Sequence, residues 1–283
     1  MENNNLKVLL FDVSPFLYVA YFGATYILNN MADISNDSKM GRVAGNILMG
    51  KIQNCFQLVS GQKVLPIFCY DGKNSIQKKK AVDENYKANR SHPITKAVRK
   101  ELMDRVALFP GYHITNDNEE ADDLIATCKN ILKNKVEDCE FLIFSKDNDL
   151  LQLCDYRTSF FDPAQGKGAR DREYLKEKFN GIDNFKHIIL HKVCFGDKSD
   201  NIEGVFKGKR RKAIVDKIKT CSKFSQFLES EFFDSEELKE QAKDLYSIIR
   251  LKENLDFNYR FNPDTIQVDV PITLEKVEIK MEE

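Results

Sequence analysis

Apolar and polar positions alternate along this chain in two registers. Short, almost unbroken apolar runs occur at residues 7–12 (KVLLFD), 64–71 (VLPIFCYD) and 141–144 (FLIF), and such runs read as strands buried on both faces. Elsewhere apolar residues recur every third or fourth position, the period of a helix with one buried face. Residues 16–28 follow a turn at Ser14-Pro15, and residues 42–60 carry Val43, Ile47, Leu48, Ile52, Phe56 and Val59. A third helical stretch follows Glu119 through Leu124, Ile125, Cys128, Ile131 and Leu132. Residues 156–161 predict a further strand, and 171–179 and 185–194 predict short helices. Strands separated by helices imply crossover connections, hence an α/β fold with a mainly parallel sheet flanked by helices.

That arrangement collects carboxylates. Asp12, Asp71 and Asp147 follow three predicted strands, so a parallel sheet places all three along its carboxyl edge, where open α/β sheets bind ligands. Asp12 alone could be a helix N-cap, and the acidic run at 119–123 (EEADD) suits the positive end of a helix dipole. Yet Glu120 and Asp123 share a helix face with Asp122 beside them, and like charges so close repel unless a cation lies between them. Asp149 follows Asp147, and Asp197 and Asp200 form another pair three apart.

Composition narrows the class. The 283 residues are 42% hydrophobic, enough for a substantial core in one large domain or two small ones. Seven cysteines without CxxC spacing predict buried, reduced thiols and no zinc site. No apolar run approaches the ~18 residues of a membrane span, and the start MENNNLK lacks the features of a signal peptide. A soluble intracellular protein is expected.

The formal net charge of −1 hides an uneven distribution. Residues 73–105 hold ten basic residues against four acidic ones, with Tyr86 and His92 among the cations. Residues 204–223 hold eight against one. Either segment could be a plain solvated face, but cations interleaved with aromatics are what a single nucleic-acid strand requires. An acidic pair followed by a basic helix–turn–helix would hold a phosphodiester backbone beside a metal site.

Taken together, Asp12, FCYD ending at Asp71, NYKANR at 85–90, EADD at 120–123, SKDNDLLQL at 145–153 and GDKSDN at 196–201 resemble the 5′-nuclease (flap endonuclease) family. That family includes phage 5′–3′ exonucleases and the N-terminal nuclease domain of bacterial DNA polymerase I. The resemblance covers roughly residues 6–215. It implies a PIN-like nuclease domain at 1–195 with a basic helical arch at about 73–105. A helix–three-turn–helix DNA-binding region and a C-terminal extension would occupy 196–283.

The resemblance further implies two Mg²⁺ or Mn²⁺ ions. Asp12, Asp71, Glu120, Asp122 and Asp123 would hold the first, while Asp147, Asp149, Asp197 and Asp200 would form or support the second. Carboxylates without histidine or cysteine suit these hard cations. Lys87 and Arg90 would neutralise charge at the scissile phosphate, Asp147 would complete the catalytic set, and Tyr86 would stack on a terminal base. Lys207, Lys209, Arg210, Arg211 and Lys212 would grip duplex DNA. Family members carry a glycine-rich hairpin holding a potassium ion where this chain reads GVFKGKRRKA, so side-chain cations are expected to replace the K⁺ site.

The implied activity is metal-dependent 5′–3′ exonuclease and flap endonuclease action on DNA 5′ ends, flaps or junctions, extending to RNA paired with DNA. The implied setting is a cytoplasmic monomer, in a bacterium or in the host of a phage, working with replication proteins. Two other readings remain: a DNA-junction binder without catalysis, and an acidic α/β phosphatase. The phosphatase needs a second aspartate two residues after its nucleophile, and Asp12 is followed by Val13-Ser14.

Overall fold

The structure, a computed structural model, describes residues 5–29, 36–88, 93–164, 170–206, 208 and 210–262. Its centre is a six-stranded sheet in the order β5-β4-β1-β2-β3-β6, formed by β1 (Leu6–Asp12), β2 (Val64–Tyr70), β3 (Gly111–Thr115), β4 (Cys139–Phe144), β5 (Thr158–Phe161) and β6 (Asn258–Asn262). The first five run parallel, and β6 returns antiparallel to β3.

The unbroken apolar runs have the expected cause. In β1, Val8 and Leu10 enter one core cluster and Leu9 and Phe11 enter the other, so both faces of the strand are covered. One face packs against α1 (Val13–Asn29), α2 (Asp37–Gln57) and α4 (Lys96–Val106). Phe11 is at the centre of that layer, stacked on Phe68 at 4.6 Å and on Phe144 at 5.0 Å. The other face packs against α5 (Ala121–Lys135), α7 (Ile188–Phe195) and α10 (Glu236–Ile249). The remaining helices are α3 (Gln77–Val82), α6 (Arg172–Lys178), α8 (Arg211–Thr220) and α9 (Phe224–Leu228).

Chain order gives the sheet a switch point. After β1, β2 and β3 are laid down in one direction, the chain returns to place β4 on the other side of β1. A crevice therefore opens between the carboxyl ends of β1 and β4, the place where doubly wound sheets bind ligands.

Some elements differ from expectation. The second helix starts five residues earlier than its apolar period suggested, because Asn36 caps it by accepting the Ser38 N–H at 2.9 Å. The 185–194 stretch is a 3₁₀ turn, Phe185–His187, followed by α7. Helix α4 lies inside the basic segment and buries Val98, Leu102 and Val106. β3 and β6 were not expected at all. Gly111 opens β3 at φ 130°, and a β-carbon there would lie 2.4 Å from Pro66 O. β6 belongs to the sheet of the first unit although it falls within the expected 196–283 unit, and one apolar cluster spans residues 8–257. All seven cysteines are buried and free, as expected. Among the described residues no helix is long and apolar enough to cross a membrane.

Candidate metal centre and nucleic-acid interface

The carboxylates meet at the switch point. Asp12 ends β1, and its Oδ2 accepts the Ser145 hydroxyl at 2.6 Å just beyond β4. Ser145 Oγ in turn accepts the Asp147 N–H, and Asp147 Oδ1 accepts the Asp149 N–H, both at 2.9 Å. This relay turns the chain from β4 into the 3₁₀ helix Asn148–Leu153 and aims both aspartates at the crevice. Asp71, one residue past β2, accepts the Ala121 N–H at 3.0 Å and so satisfies an amide in the first turn of α5. Its other oxygen accepts the Ser14 hydroxyl at 2.6 Å. One oxygen each of Asp122, Asp147 and Asp149 lie within 4.8 Å of one another, the only such acidic group among the described residues.

Around this group the other expected residues take distinct places. Glu120, the N-cap of α5, accepts from the Tyr86 hydroxyl at 2.8 Å and pairs with Lys79 at 2.7 Å and with Lys87. Asp149 and Asp197 share the ammonium of Lys192. Asp200, buried, accepts the Lys87 N–H through its backbone oxygen at 2.8 Å, and Asn201 donates to Asn85 O at 2.9 Å. These two bonds fasten the 196–201 loop to the NYKANR segment. Asp123 is fully buried, and its Oδ1 accepts the Lys252 N–H at 2.8 Å.

Burial and mutual repulsion charge the site unevenly. Burial, with Asp71 beside it, pushes the Asp12 carboxyl well above its ordinary value. Asp122 is raised in the same way, chiefly by burial. Asp149 is pushed up to about 7 by burial and by Asp147, Asp200 and Asp197, despite the opposing Lys192. At Glu120 burial acts upward too, but Lys79 and Lys87 overcome it and hold the group down to about 2. The raised carboxylates are those lacking enough nearby positive charge, and a divalent cation would supply it. An all-oxygen donor set fits Mg²⁺ or Mn²⁺.

One expectation is corrected. Tyr86 was to stack on a base, but it is 1% exposed, and its hydroxyl is held by Glu120, so its ring has no face to offer. Lys87 is also buried, inside the carboxylate cluster and over the Tyr86 ring. Arg90, His92, Lys207 and Lys209 lie outside the described residues. Arg211 places its guanidinium 4.4 Å from the Phe195 ring centre, Lys212 is exposed, and Arg210 at φ 74° is the N-cap of α8. The loop before them is tight, since a β-carbon on Gly204 would sit 2.3 Å from Gly196 N.

Sequence reasoning missed Lys79, Lys192 and Lys252 as partners of the carboxylates. Lys192 had a visible signal, a single cation in the apolar run IILHKVCF. It also missed a groove of about 1390 Å³ whose lining includes Asp71, Lys87 and Glu120. Its walls carry Lys96, Arg99 and Arg260 together with Tyr18, Phe22 and Tyr259.

Comparison with known proteins gives a consistent set of likenesses. Residues 7–180 match the family described as 5′–3′ exonuclease, N-terminal resolvase-like domain. A 5′–3′ exonuclease of Mycoplasmopsis pulmonis is 30% identical over 201 residues, covering 68% of this chain and 62% of that protein. A 5′–3′ exonuclease of Mycoplasma pneumoniae is 29% identical over 220 residues, covering 75% and 72%. DNA polymerase I of Streptococcus pneumoniae is 34% identical over 111 residues, which are 38% of this chain and 12% of the polymerase. The chain thus spans under two thirds of the first relative and a small part of the polymerase. Among solved structures, the bacteriophage T5 D15 protein crystallised with metal ions aligns at a TM-score of 0.59 and 16% identity, covering 86% of this chain and 87% of that one. At that identity the likeness extends to the fold.

Proposed function

The chain belongs to the 5′–3′ exonuclease family, and from that premise we propose that it is a divalent-metal-dependent nuclease that hydrolyses phosphodiester bonds at 5′ ends and flaps of DNA. The observation that carries the proposal is the meeting of Asp122, Asp147 and Asp149 at the switch point of the sheet. Asp122, Asp147 and Asp149 would hold an ion directly, with Asp12, Asp71 and Glu120 on one side and Asp197 and Asp200 on the other. Two such cations would activate a water and stabilise the charge on the transferring phosphoryl group.

The chain's own residues do the rest. Ser145 fixes the Asp12 carboxylate, while Lys79 and Lys87 keep Glu120 ionised. Lys87 lines the groove beside Glu120, where its ammonium would meet charge that grows on the scissile phosphate. Arg90 belongs to the same arch motif and takes the same role. Water's oxygen would bond to phosphorus and give up a proton to the carboxylate-lined crevice, the phosphorus–ester oxygen bond would break, and the departing oxygen would take a proton from solvent to leave as a hydroxyl. The groove accepts the single strand beside its cations and aromatic rings. Lys207, Lys209, Arg210, Arg211 and Lys212 anchor the duplex through phosphate contacts, in place of a potassium-filled hairpin. In functional terms residues 1–195 carry most of the metal centre, Asp197 and Asp200 complete it, and the basic residues that follow hold the duplex.

In this reading RNA paired to DNA is a further substrate, and the chain acts as a cytoplasmic monomer alongside replication proteins. A 5′-flap duplex labelled at its 5′ end, incubated with Mg²⁺ and with EDTA, tests the proposal. Cleavage in Mg²⁺ that EDTA abolishes is expected. Tight binding of the flap with no cleavage in Mg²⁺ or Mn²⁺ would favour the non-catalytic junction binder instead.

A further inference from the structure

The segment after α10 leaves the helix at Arg250, crosses the N-terminal half of α5 and enters the sheet as β6. Its crossing is fastened at four points along α5 and the residue pair before it. Lys252 Nζ pairs with Glu119 Oε2 at 2.5 Å, and the Lys252 N–H donates to Asp123 Oδ1 at 2.8 Å. The Thr127 hydroxyl donates to Lys252 O at 3.1 Å, and Asn130 Nδ2 donates to Glu253 O at 3.2 Å. Residues 123, 127 and 130 follow one helical stripe with Glu119 just before it, whereas Asp122 is turned about 100° from Asp123 and faces Asp147 and Asp149.

Asp123 therefore looks away from the acidic group. Its Oδ2 is buried without a hydrogen bond, 3.7 Å from Lys79 Nζ and 3.8 Å from Lys252 Nζ. Both of its oxygens are thus directed at this chain's own donors and ammonium groups. The turn it belongs to needs such support, because Glu120 at the N-cap makes no side-chain capping bond. Asp71 holds that turn from the β2 side through the Ala121 N–H, and the strap holds it from the other.

We infer that Asp123 is a positioning residue: it latches the 250–257 strap onto the turn of α5 that presents Glu120 and Asp122, and it does not itself ligate an ion. The inference rests on the metal-centre reading above. A free first turn would fray and let Asp122 wander from its partners, and a latched turn holds it in place before any ion arrives.

Mn²⁺ titration of the full chain without DNA, read by the electron paramagnetic resonance of free Mn²⁺, tests it alongside amide hydrogen exchange of the strap. Asp123→Ala should weaken Mn²⁺ binding by about tenfold, the lower end for loss of an outer support, with the number of bound ions unchanged and faster exchange at Lys252. Asp123→Asn keeps an oxygen for the Lys252 N–H and should restore both affinity and protection. Loss of an ion in Asp123→Asn, matching the loss in Asp122→Asn, would overturn the inference by making Asp123 a ligand. A lowered melting temperature in Asp123→Ala with unaltered Mn²⁺ affinity would overturn it by reducing Asp123 to a structural contact. Unaltered Mn²⁺ binding in Asp122→Asn would bring down the metal centre itself, a failure distinguishable from the other two.

Discussion

The Tyr86 hydroxyl donates to Glu120 Oε2 at 2.8 Å from a ring that is 1% exposed. Tyr86 therefore acts through the carboxylate and the core, not by stacking on a base. Tyr86→Phe removes one donor to a charged acceptor that Lys79 and Lys87 still serve, and should cost about 1–2 kcal/mol of stability in urea unfolding. Tyr86→Ala empties a large buried site and should cost about 3–5 kcal/mol. The affinity of Tyr86→Phe for a single-stranded flap should match wild type. A Tyr86→Ala protein that is fully stable yet binds the flap poorly would return the ring to the surface.

Asp147→Asn separates binding from turnover. The amide oxygen can still accept the Asp149 N–H, so the turn after β4 should survive. What disappears is one negative charge of the Asp122, Asp147 and Asp149 group, and none of the basic surfaces change. Flap affinity in Ca²⁺ should stay near wild type while single-turnover cleavage in Mg²⁺ falls by at least about 100-fold, as expected when a transition-state contact is lost. Cleavage near the wild-type rate would remove Asp147 from the centre.

How much of this was legible depends on what each residue's neighbours reveal. The strands that lead to Asp12, Asp71 and Asp147 could be read because a strand covered on both faces must be apolar throughout. β6 could not be read, since as an exposed antiparallel edge it reads NYRFN, with polar and apolar residues mixed. In the basic segment, charge drew attention from the spacing of Val98, Leu102 and Val106, which alone marks α4. Nothing local distinguishes Lys79 from Lys78 and Lys80, and only the fold decides which of the three is buried against Glu120. Tyr86 was misread for the same reason. An aromatic among cations looks alike whether it faces a nucleobase or the core.

Lys192 supplies a third test. The residue is 3% exposed with its ammonium between Asp149 and Asp197, and although burial works against the charged form these partners raise its pKa. Lys192→Met would leave the buried Asp149 and the half-buried Asp197 carboxylates without their shared cation, and should cost about 3–5 kcal/mol without divalent ions. The same vacancy of charge would favour Mg²⁺. Saturating Mg²⁺ should therefore raise the melting temperature of Lys192→Met more than that of wild type. Equal increments would mean that Lys192 and the ions do not share these carboxylates.

His191 is buried between the rings of Phe179 at 5.4 Å and Phe195 at 4.8 Å, and Asn180 Nδ2 donates to its Nε2 at 2.8 Å. Burial, reinforced by Arg211 and Lys192, depresses its pKa to about 4. The unfolded chain binds that proton near the ordinary value of about 6.5, so the stabilising effect is complete above 6.5 and is lost as pH falls towards 4. Between pH 7 and pH 5 the loss from this one group should be about 2 kcal/mol. Asp149, raised to about 7, works the other way over the same interval, because the folded state takes up its proton first. The total pH dependence of wild type is thus a sum of opposing contributions, and the difference between wild type and His191→Gln is what isolates the histidine. Glutamine stays neutral throughout, so urea unfolding of His191→Gln should lose about 2 kcal/mol less than wild type on going from pH 7 to pH 5, whatever its stability at pH 7. Parallel curves for the two proteins would mean that His191 takes up its proton over the same pH range folded as unfolded, so that burial does not depress it.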